Sequence, residues 1–121
     1  MEKLTVQEEE AMQVVWQCKQ GFIKDFLDNF PEPAPPYTTL ASTLKNLLRK
    51  GFIVGEKFAK SYRYTPLIAE EDYKKRFMYG FVNDYFENSY KDMVAFFVKD
   101  KKVTTNELKE IIDLIEKSKK Q

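Results

Sequence analysis

The sequence predicts a mainly α-helical fold that contains one small β-hairpin. Apolar residues recur every three or four positions over most of the chain, a pattern typical of amphipathic helices. The pattern changes after residue 51, where strand-forming residues flank a charged tip. The chain has 121 residues, of which 43% are hydrophobic, so it can bury one compact core but not two domains of ordinary size.

The first predicted helix begins at a capping box. Thr5 is followed three residues later by Glu8, the spacing at which each side chain can reach the other residue's backbone N–H. We interpret the acidic run at residues 8–10 as a solvated first turn, because carboxylates suit the positive end of the helix dipole. Gly21 is the expected stop of this helix.

Two more helices and a hairpin complete the predicted first domain, which covers about residues 1–68. The proline-rich segment after the second helix cannot continue it, because proline lacks an N–H and fixes φ. In chain order the predicted elements are a helix over about 22–29, a stiff turn over 31–36, a helix over about 38–50, and strands near 52–54 and 61–65 around a basic tip at 56–60. Helix, helix, turn, helix and hairpin is the order of a winged helix-turn-helix domain. Its predicted core consists of Met12, Trp16, Leu40, Leu44 and Leu48.

A net charge of only +1 hides a local basic region. Residues 37–66 carry six Lys and Arg against Glu56 alone, a net charge of +5, whereas residues 1–36 carry −4 and the remainder is balanced. A basic stretch inside a nearly neutral chain can mark an anionic partner. The competing interpretation is an ordinary solvated helix and hairpin.

In a winged helix-turn-helix the third helix enters the DNA major groove and the hairpin tip lies on the phosphate backbone. Short hydroxyl side chains at the start of that helix can meet phosphates or base edges, although Thr38 and Thr39 could instead cap the helix. The predicted DNA-binding residues are Tyr37, Thr38, Thr39, Ser42, Thr43, Lys45, Asn46, Arg49, Lys57, Lys60 and Ser61. The alternative is a winged-helix module that binds protein without sequence-specific DNA binding, and six clustered cations argue against it.

Several function classes are excluded by composition. The chain has no histidine, so a conventional zinc site and any Ser–His or Cys–His nucleophile are excluded, and no catalytic residue or cofactor is expected. The single cysteine, Cys18, cannot form an internal disulfide and is interpreted as a small apolar filler or a surface thiol. No apolar run approaches the roughly 18 residues needed to cross a bilayer, so we expect a cytoplasmic protein without membrane insertion.

The C-terminal part, about residues 69–121, is predicted to be a helical dimerisation region. Three helices are expected over about 69–87, 89–99 and 104–119, the last with a second capping box from Thr104 to Glu107. This arm has more apolar surface than it can bury on itself, so a two-fold homodimer is favoured over a monomer that folds the arm back. The predicted interface residues are Tyr73, Phe77, Phe81, Tyr85, Met93, Phe96, Phe97, Leu108, Ile111, Ile112 and Ile115.

Several spaced motifs resemble one known family. They are EEAMQVVW at residues 9–16, YTTLASTLKNLLRKG at residues 37–51 and YTPL at residues 64–67, followed by Asp92-Met93-Val94 and a helix that opens after Val103-Thr104. They look like the BlaI/MecI/CopY group of penicillinase-repressor regulators. The resemblance implies a dimeric winged-helix repressor that binds palindromic operators, meaning inverted repeats in promoters of β-lactam or copper resistance genes.

The resemblance also implies roles for individual residues. Thr38, Thr39, Ser42 and Thr43 correspond to groove-facing positions, and Lys60 lies where the family often has an arginine at the wing tip. Ala41 and Asn46 replace longer polar or basic groups, so the operator sequence is not carried over.

Two branches of the family are controlled in different ways. The copper-responsive branch has clustered cysteines, whereas this chain has only Cys18, so no metal is expected. In the β-lactam branch a membrane sensor-protease cuts inside a helix that matches residues 93–98. The implied cleavage site is therefore Phe96–Phe97, with Phe96 in place of the family's asparagine.

Overall fold

A computed structural model describes residues 2–119, which form six helices and one two-stranded antiparallel sheet. The elements are α1 Val6–Cys18, α2 Ile23–Asn29, α3 Tyr37–Lys50, β1 Ile53–Phe58, β2 Ser61–Pro66, α4 Glu70–Phe86, α5 Tyr90–Lys99 and α6 Thr105–Lys119. The chain divides into a first compact unit up to Lys74 and a second from Lys75. The predicted fold class, a winged helix domain followed by C-terminal helices, is confirmed.

The capping box that begins α1 is confirmed. The Thr5 hydroxyl accepts from the Glu8 N–H at 3.2 Å, and the Glu8 carboxylate accepts from the Thr5 N–H at 2.9 Å. The helix ends earlier than predicted, at Cys18, where Lys19 takes a positive φ of 71°. Gly21 is therefore not the stop of this helix.

Gly21 instead pairs with the second strand of the hairpin. Its N–H donates to the Tyr64 carbonyl at 3.0 Å and its own carbonyl accepts from the Tyr64 N–H at 2.8 Å. A Cβ at this position would lie 3.0 Å from the ring of Phe26 and 3.1 Å from Asp25 Cβ, so a larger residue would have to displace these neighbours. This bridge fixes the hairpin against the start of α2.

The core of the first unit lies between α1, α2, α3 and the base of the hairpin. Met12, Leu40 and Leu44 are buried there, as predicted, together with Leu47. Trp16 is half-buried against this core and donates its indole N–H to the Ile68 carbonyl at 2.9 Å. These leucines lie on one face of α3, and the opposite face of the helix is exposed to solvent.

The interpretation of residues 8–10 as a solvated turn is wrong for Glu8. Its carboxylate is buried and lies 2.6 Å from the Lys50 ammonium, which also donates to the Lys3 carbonyl at 3.0 Å. Burial by itself raises the pKa of Glu8, but the hydrogen bonds from Lys50 and Thr5 outweigh it and hold the pKa below its ordinary value. This ion pair joins the start of α1 to the end of α3.

The hairpin has longer strands and a tighter tip than predicted. Strand pairing runs from Ile53 opposite Pro66 to Phe58 opposite Ser61, so only Ala59 and Lys60 form the turn. Ala59 has a positive φ of 54°, as two-residue hairpin turns require. The predicted tip at 56–60 is therefore wrong in extent, and Lys57 lies on a strand.

The second unit exposes most of its apolar side chains. The capping box at Thr104 and Glu107 is confirmed, with N–H to oxygen distances of 2.9 and 3.1 Å. Between residues 75 and 119, Val82 is the one fully buried side chain, and none is buried in α5 or α6. Among residues 2–119, no helix is long and apolar enough to cross a membrane.

Candidate nucleic-acid interface

Helix α3 presents a polar face opposite the core. Leu40, Leu44 and Leu47 point inward, so the positions between them at helical spacing point outward. The predicted DNA-binding residues on this outward face are all exposed: Tyr37, Thr38, Ser42, Lys45, Asn46 and Arg49. The structure therefore brings most of the predicted groove-facing residues together on one face.

The first threonines of α3 do not cap the helix. Pro36 occupies the N-cap position and makes no side-chain hydrogen bond there. Thr38 is exposed in the first turn, and its hydroxyl makes no hydrogen bond within the described residues. Its side chain is therefore available to a ligand.

The prediction that Thr43 faces the groove is wrong. Thr43 is only 7% exposed, and its hydroxyl donates to the Thr39 carbonyl at 3.0 Å. It follows Leu40 by three residues and precedes Leu47 by four, which places it on the core side of the helix. Thr39 itself is half-buried at the edge of the polar face.

The basic region contains two cations that are already paired. Lys50 pairs with buried Glu8, and the Arg63 guanidinium lies 3.7 Å from Glu56 and 4.6 Å from the centre of the Phe58 ring. The other four cations are exposed and have no acidic partner in the part of the chain that the structure describes: Lys45, Arg49, Lys57 and Lys60. All four were predicted as DNA-binding residues.

The wing, which is the β1–β2 hairpin, carries the remaining predicted residues. Lys57, Lys60 and Ser61 are exposed on it. The register places Tyr62 directly opposite Lys57, so these two side chains share one face of the hairpin. Tyr62 is exposed and stacks on Tyr64 at 6.4 Å, and it is a candidate DNA contact that the sequence analysis missed. Period-two alternation places Tyr62 on the same face as the buried Tyr64, so no sequence signal marks it as exposed; its exposure follows from its position nearer the tip of the hairpin.

Tyr73, which was predicted to lie in the dimer interface, is half-buried and makes its contacts within the first unit. Its hydroxyl donates to the Glu9 carboxylate at 3.1 Å, and its ring lies 5.6 Å from that of Trp16 and 5.8 Å from that of Phe52. Burial, followed by the Glu9 charge and hydrogen bond, raises the pKa of Tyr73 to about 12. These contacts hold the first turn of α4, which contains Tyr73, within the first unit.

The other predicted interface residues lie on the helices of the second unit. Seven of them are exposed: Phe77, Tyr85, Phe96, Phe97, Ile111, Ile112 and Ile115. Phe81, Met93 and Leu108 are half-buried. Ring contacts connect α4 to α5, with Phe86 and Phe96 at 5.8 Å. Exposed apolar area of this extent is typical of an interaction surface.

Neither a metal centre nor a disulfide is formed by the described residues. Residues 2–119 contain no cluster of three His, Cys, Asp or Glu side chains that could hold a metal ion. Cys18 is half-buried, and burial together with the nearby Asp25 charge raises the pKa of its thiol.

The fold and the exposed cationic helix define a winged-helix transcriptional regulator. The chain belongs to the penicillinase repressor family, whose model matches residues 4–117. The resemblance found from the sequence motifs is thereby confirmed.

Curated relatives are similar over most of the chain. The methicillin resistance regulatory protein MecI of Staphylococcus aureus strain N315 and that of Mammaliicoccus sciuri are each 23% identical over 111 residues, covering 89% of this chain and 89% of the relative. The penicillinase repressor of Bacillus licheniformis is 24% identical over 111 residues, covering 91% of this chain and 87% of the relative. These relatives are regulators and repressors by name, not enzymes.

Proposed function

We propose that this chain is a cytoplasmic, homodimeric transcriptional repressor that binds inverted-repeat operators in double-stranded DNA. The domain over about residues 1–68 binds the DNA, and the region over about residues 69–121 forms the dimer. The observation that carries the proposal is the set of four exposed cations on α3 and the wing that have no acidic partner within residues 2–119. The names of the relatives support genes of β-lactam resistance as the regulated class.

On the exposed face of α3, some residues are placed to contact base edges and others to contact phosphates. Thr38, Ser42 and Asn46 carry short polar groups that can reach base edges, and an Asn amide can pair with both N6 and N7 of adenine. Lys45 and Arg49 lie on the same face, and Lys57 and Lys60 lie on the wing, where cations neutralise phosphates without regard to sequence.

Dimerisation uses the apolar side chains that the second unit leaves exposed. A second copy would cover the exposed rings and isoleucines of α4, α5 and α6, which one chain leaves in water. A two-fold dimer also presents two reading helices to the two halves of an inverted repeat. Repression then depends on both copies remaining joined.

Induction occurs when a membrane sensor-protease cuts the bond between Phe96 and Phe97. This bond lies inside α5, so the helix must open locally before a protease can take it as an extended strand. Helix α5 has ten residues and buries none of them, and such elements open at low free-energy cost. The cut would separate α6 from α4 and divide the dimer interface.

The salt dependence of DNA binding tests the proposal. In fluorescence anisotropy with a labelled inverted-repeat duplex, the logarithm of the affinity should fall linearly with the logarithm of salt concentration. Four cations on each of two copies give a slope of about −7, from about −0.9 for each neutralised phosphate. Lys109→Ala, on α6, is the matched control and should leave the slope unchanged. A slope near zero would favour the alternative, a winged-helix module that binds protein.

A further inference from the structure

A cavity of about 430 Å³ lies in the first unit beside the proposed recognition helix. Its walls come from α1, from the proline segment at residues 31–35 and from the first two turns of α3. Pockets of 300–1,000 Å³ that combine an apolar floor with a few polar groups are typical small-molecule sites. The proposed DNA contacts do not account for this cavity.

The chemistry of the walls is acidic and amide-rich. Two carboxylates, Glu10 and Glu32, line the cavity, and no Lys or Arg is among the lining residues. The side-chain amides of α1 that line it are Gln7, Gln13 and Gln17. The accessible apolar lining comes from the half-buried Phe30 and from the prolines of residues 31–35, because Val14 and Leu40 are almost fully buried behind it. The lining therefore offers negative charge and amide donors and acceptors beside an apolar proline segment.

The three consecutive acids of α1 have different partners. Glu8 pairs with Lys50, and Glu9 accepts from the Tyr73 hydroxyl. The side chain of Glu10 lines the cavity and, within residues 2–119, makes neither an ion pair nor a hydrogen bond, and the same is true of the Glu32 side chain. Both residues are exposed, so a ligand in the cavity can reach their carboxylates from solvent.

We propose that this cavity binds a small organic cation, one that carries an amine, guanidinium or amidinium group on an apolar body. The cationic group would pair with Glu10 or Glu32 through charge-assisted hydrogen bonds, which are stronger than neutral ones. The apolar body would pack against Phe30 and the prolines of residues 31–35. The two carboxylates disfavour an anionic ligand of the same shape by like-charge repulsion.

Occupancy of the cavity is connected to α3. Thr39 and Leu40 line the cavity from the first turn of that helix, next to the exposed Thr38. A ligand that contacts this turn and DNA that contacts the same helix would change each other's affinity by the same factor. Only this consequence depends on the proposed function, because binding of the cation itself requires no DNA.

Three ring compounds of the same shape and different charge test the proposal on the full chain. Benzamidine is cationic, benzamide neutral and benzoate anionic. In ¹H–¹⁵N correlation spectra, benzamidine should shift the side-chain amide signals of Gln7, Gln13, Gln17 and Asn29 saturably, with a dissociation constant of about 1 mM, in line with the efficiency of small ligands. Benzamide should bind at least about fivefold more weakly, and benzoate should not bind.

Charge-neutralising variants complete the test. Glu10→Gln and Glu32→Gln keep the size of each side chain, and at least one of them should weaken benzamidine binding about fivefold or more. Glu2→Gln removes an exposed acid that does not line the cavity and should have no effect. Equal affinity for benzamide and benzamidine, shifts that map outside the cavity, or no saturable shift up to about 20 mM would overturn the proposal. Unchanged backbone spectra of the variants establish that they are folded.

Discussion

The buried ion pair between Glu8 and Lys50 gives the sharpest stability prediction. The substitution Glu8→Gln removes the charge and keeps the size, so the Thr5 capping box can still form. In the unsubstituted chain the Glu8 carboxylate lies 2.6 Å from the Lys50 ammonium. The substitution removes that negative charge and leaves the Lys50 side chain, which is only 9% exposed, without it. The Lys3 carbonyl remains as an acceptor for Lys50 but carries no compensating charge.

We expect Glu8→Gln to lower the free energy of unfolding by about 3 kcal/mol. Removing one partner of a buried pair costs about 3–5 kcal/mol, because the other charge stays out of water without compensation. The Gln carbonyl can still accept from Lys50, which places the expected cost at the lower end. The matched control is Glu56→Gln, which removes the exposed partner of Arg63 at 3.7 Å and should cost less than about 1 kcal/mol.

Urea unfolding followed by Trp16 fluorescence measures this cost. Trp16 is the single tryptophan and lies in the first unit, so its signal reports the part of the chain that holds the ion pair. The double variant with Lys50→Met should cost less than the sum of the two single variants by about 2 kcal/mol. If Glu8→Gln cost no more than Glu56→Gln, the pair would not stabilise the packing of α1 on α3.

Three further predictions concern pH, a hydrogen bond and DNA. The pKa of folded Glu8 lies below its ordinary value of 4.5, so its stabilisation is complete above pH 4.5 and is lost as pH falls through the lower folded-state pKa. Urea midpoints should therefore drop more between pH 7 and pH 3 in the unsubstituted chain than in Glu8→Gln. Tyr73→Phe removes the hydrogen bond to Glu9 and should cost about 1 kcal/mol by the same fluorescence assay, and no loss would contradict its role. Lys60→Ala should weaken binding to all duplexes alike in anisotropy titrations, whereas Ser42→Ala should change the preference among operator variants by roughly 1–3 kcal/mol, and the reverse result would exchange these roles.

Local sequence signals predicted most of the fold. The capping boxes at Thr5 and Thr104 depend on residues three apart, so the sequence alone identifies both helix starts. The helix–hairpin order also followed from local spacing. Strand ends were less certain, because the extent of pairing depends on the turn, and the turn at Ala59 is shorter than the charged tip suggested.

Long-range contacts were beyond local reasoning. Glu8 and Lys50 are 42 residues apart, and Tyr73 and Glu9 are 64 residues apart, so no spacing rule pairs them. The error at Thr43 was different, because helical periodicity from Leu40 and Leu47 already placed it on the core face. The charge count of residues 37–66 included Lys50 and Arg63, which the structure shows to be paired with Glu8 and Glu56.

The measurement that tests the dimeric-repressor account most directly compares the full chain with a truncated chain of residues 1–87. Sedimentation equilibrium gives the mass, and anisotropy with an inverted-repeat duplex selected from a random pool gives the affinity. We expect the full chain to sediment at twice the 14.3 kDa mass of one chain. The truncated chain should be monomeric and bind about 100-fold more weakly or worse, because the second reading helix loses its effective concentration. A truncated chain that stays dimeric, or that binds the duplex as tightly as the full chain, would contradict the account.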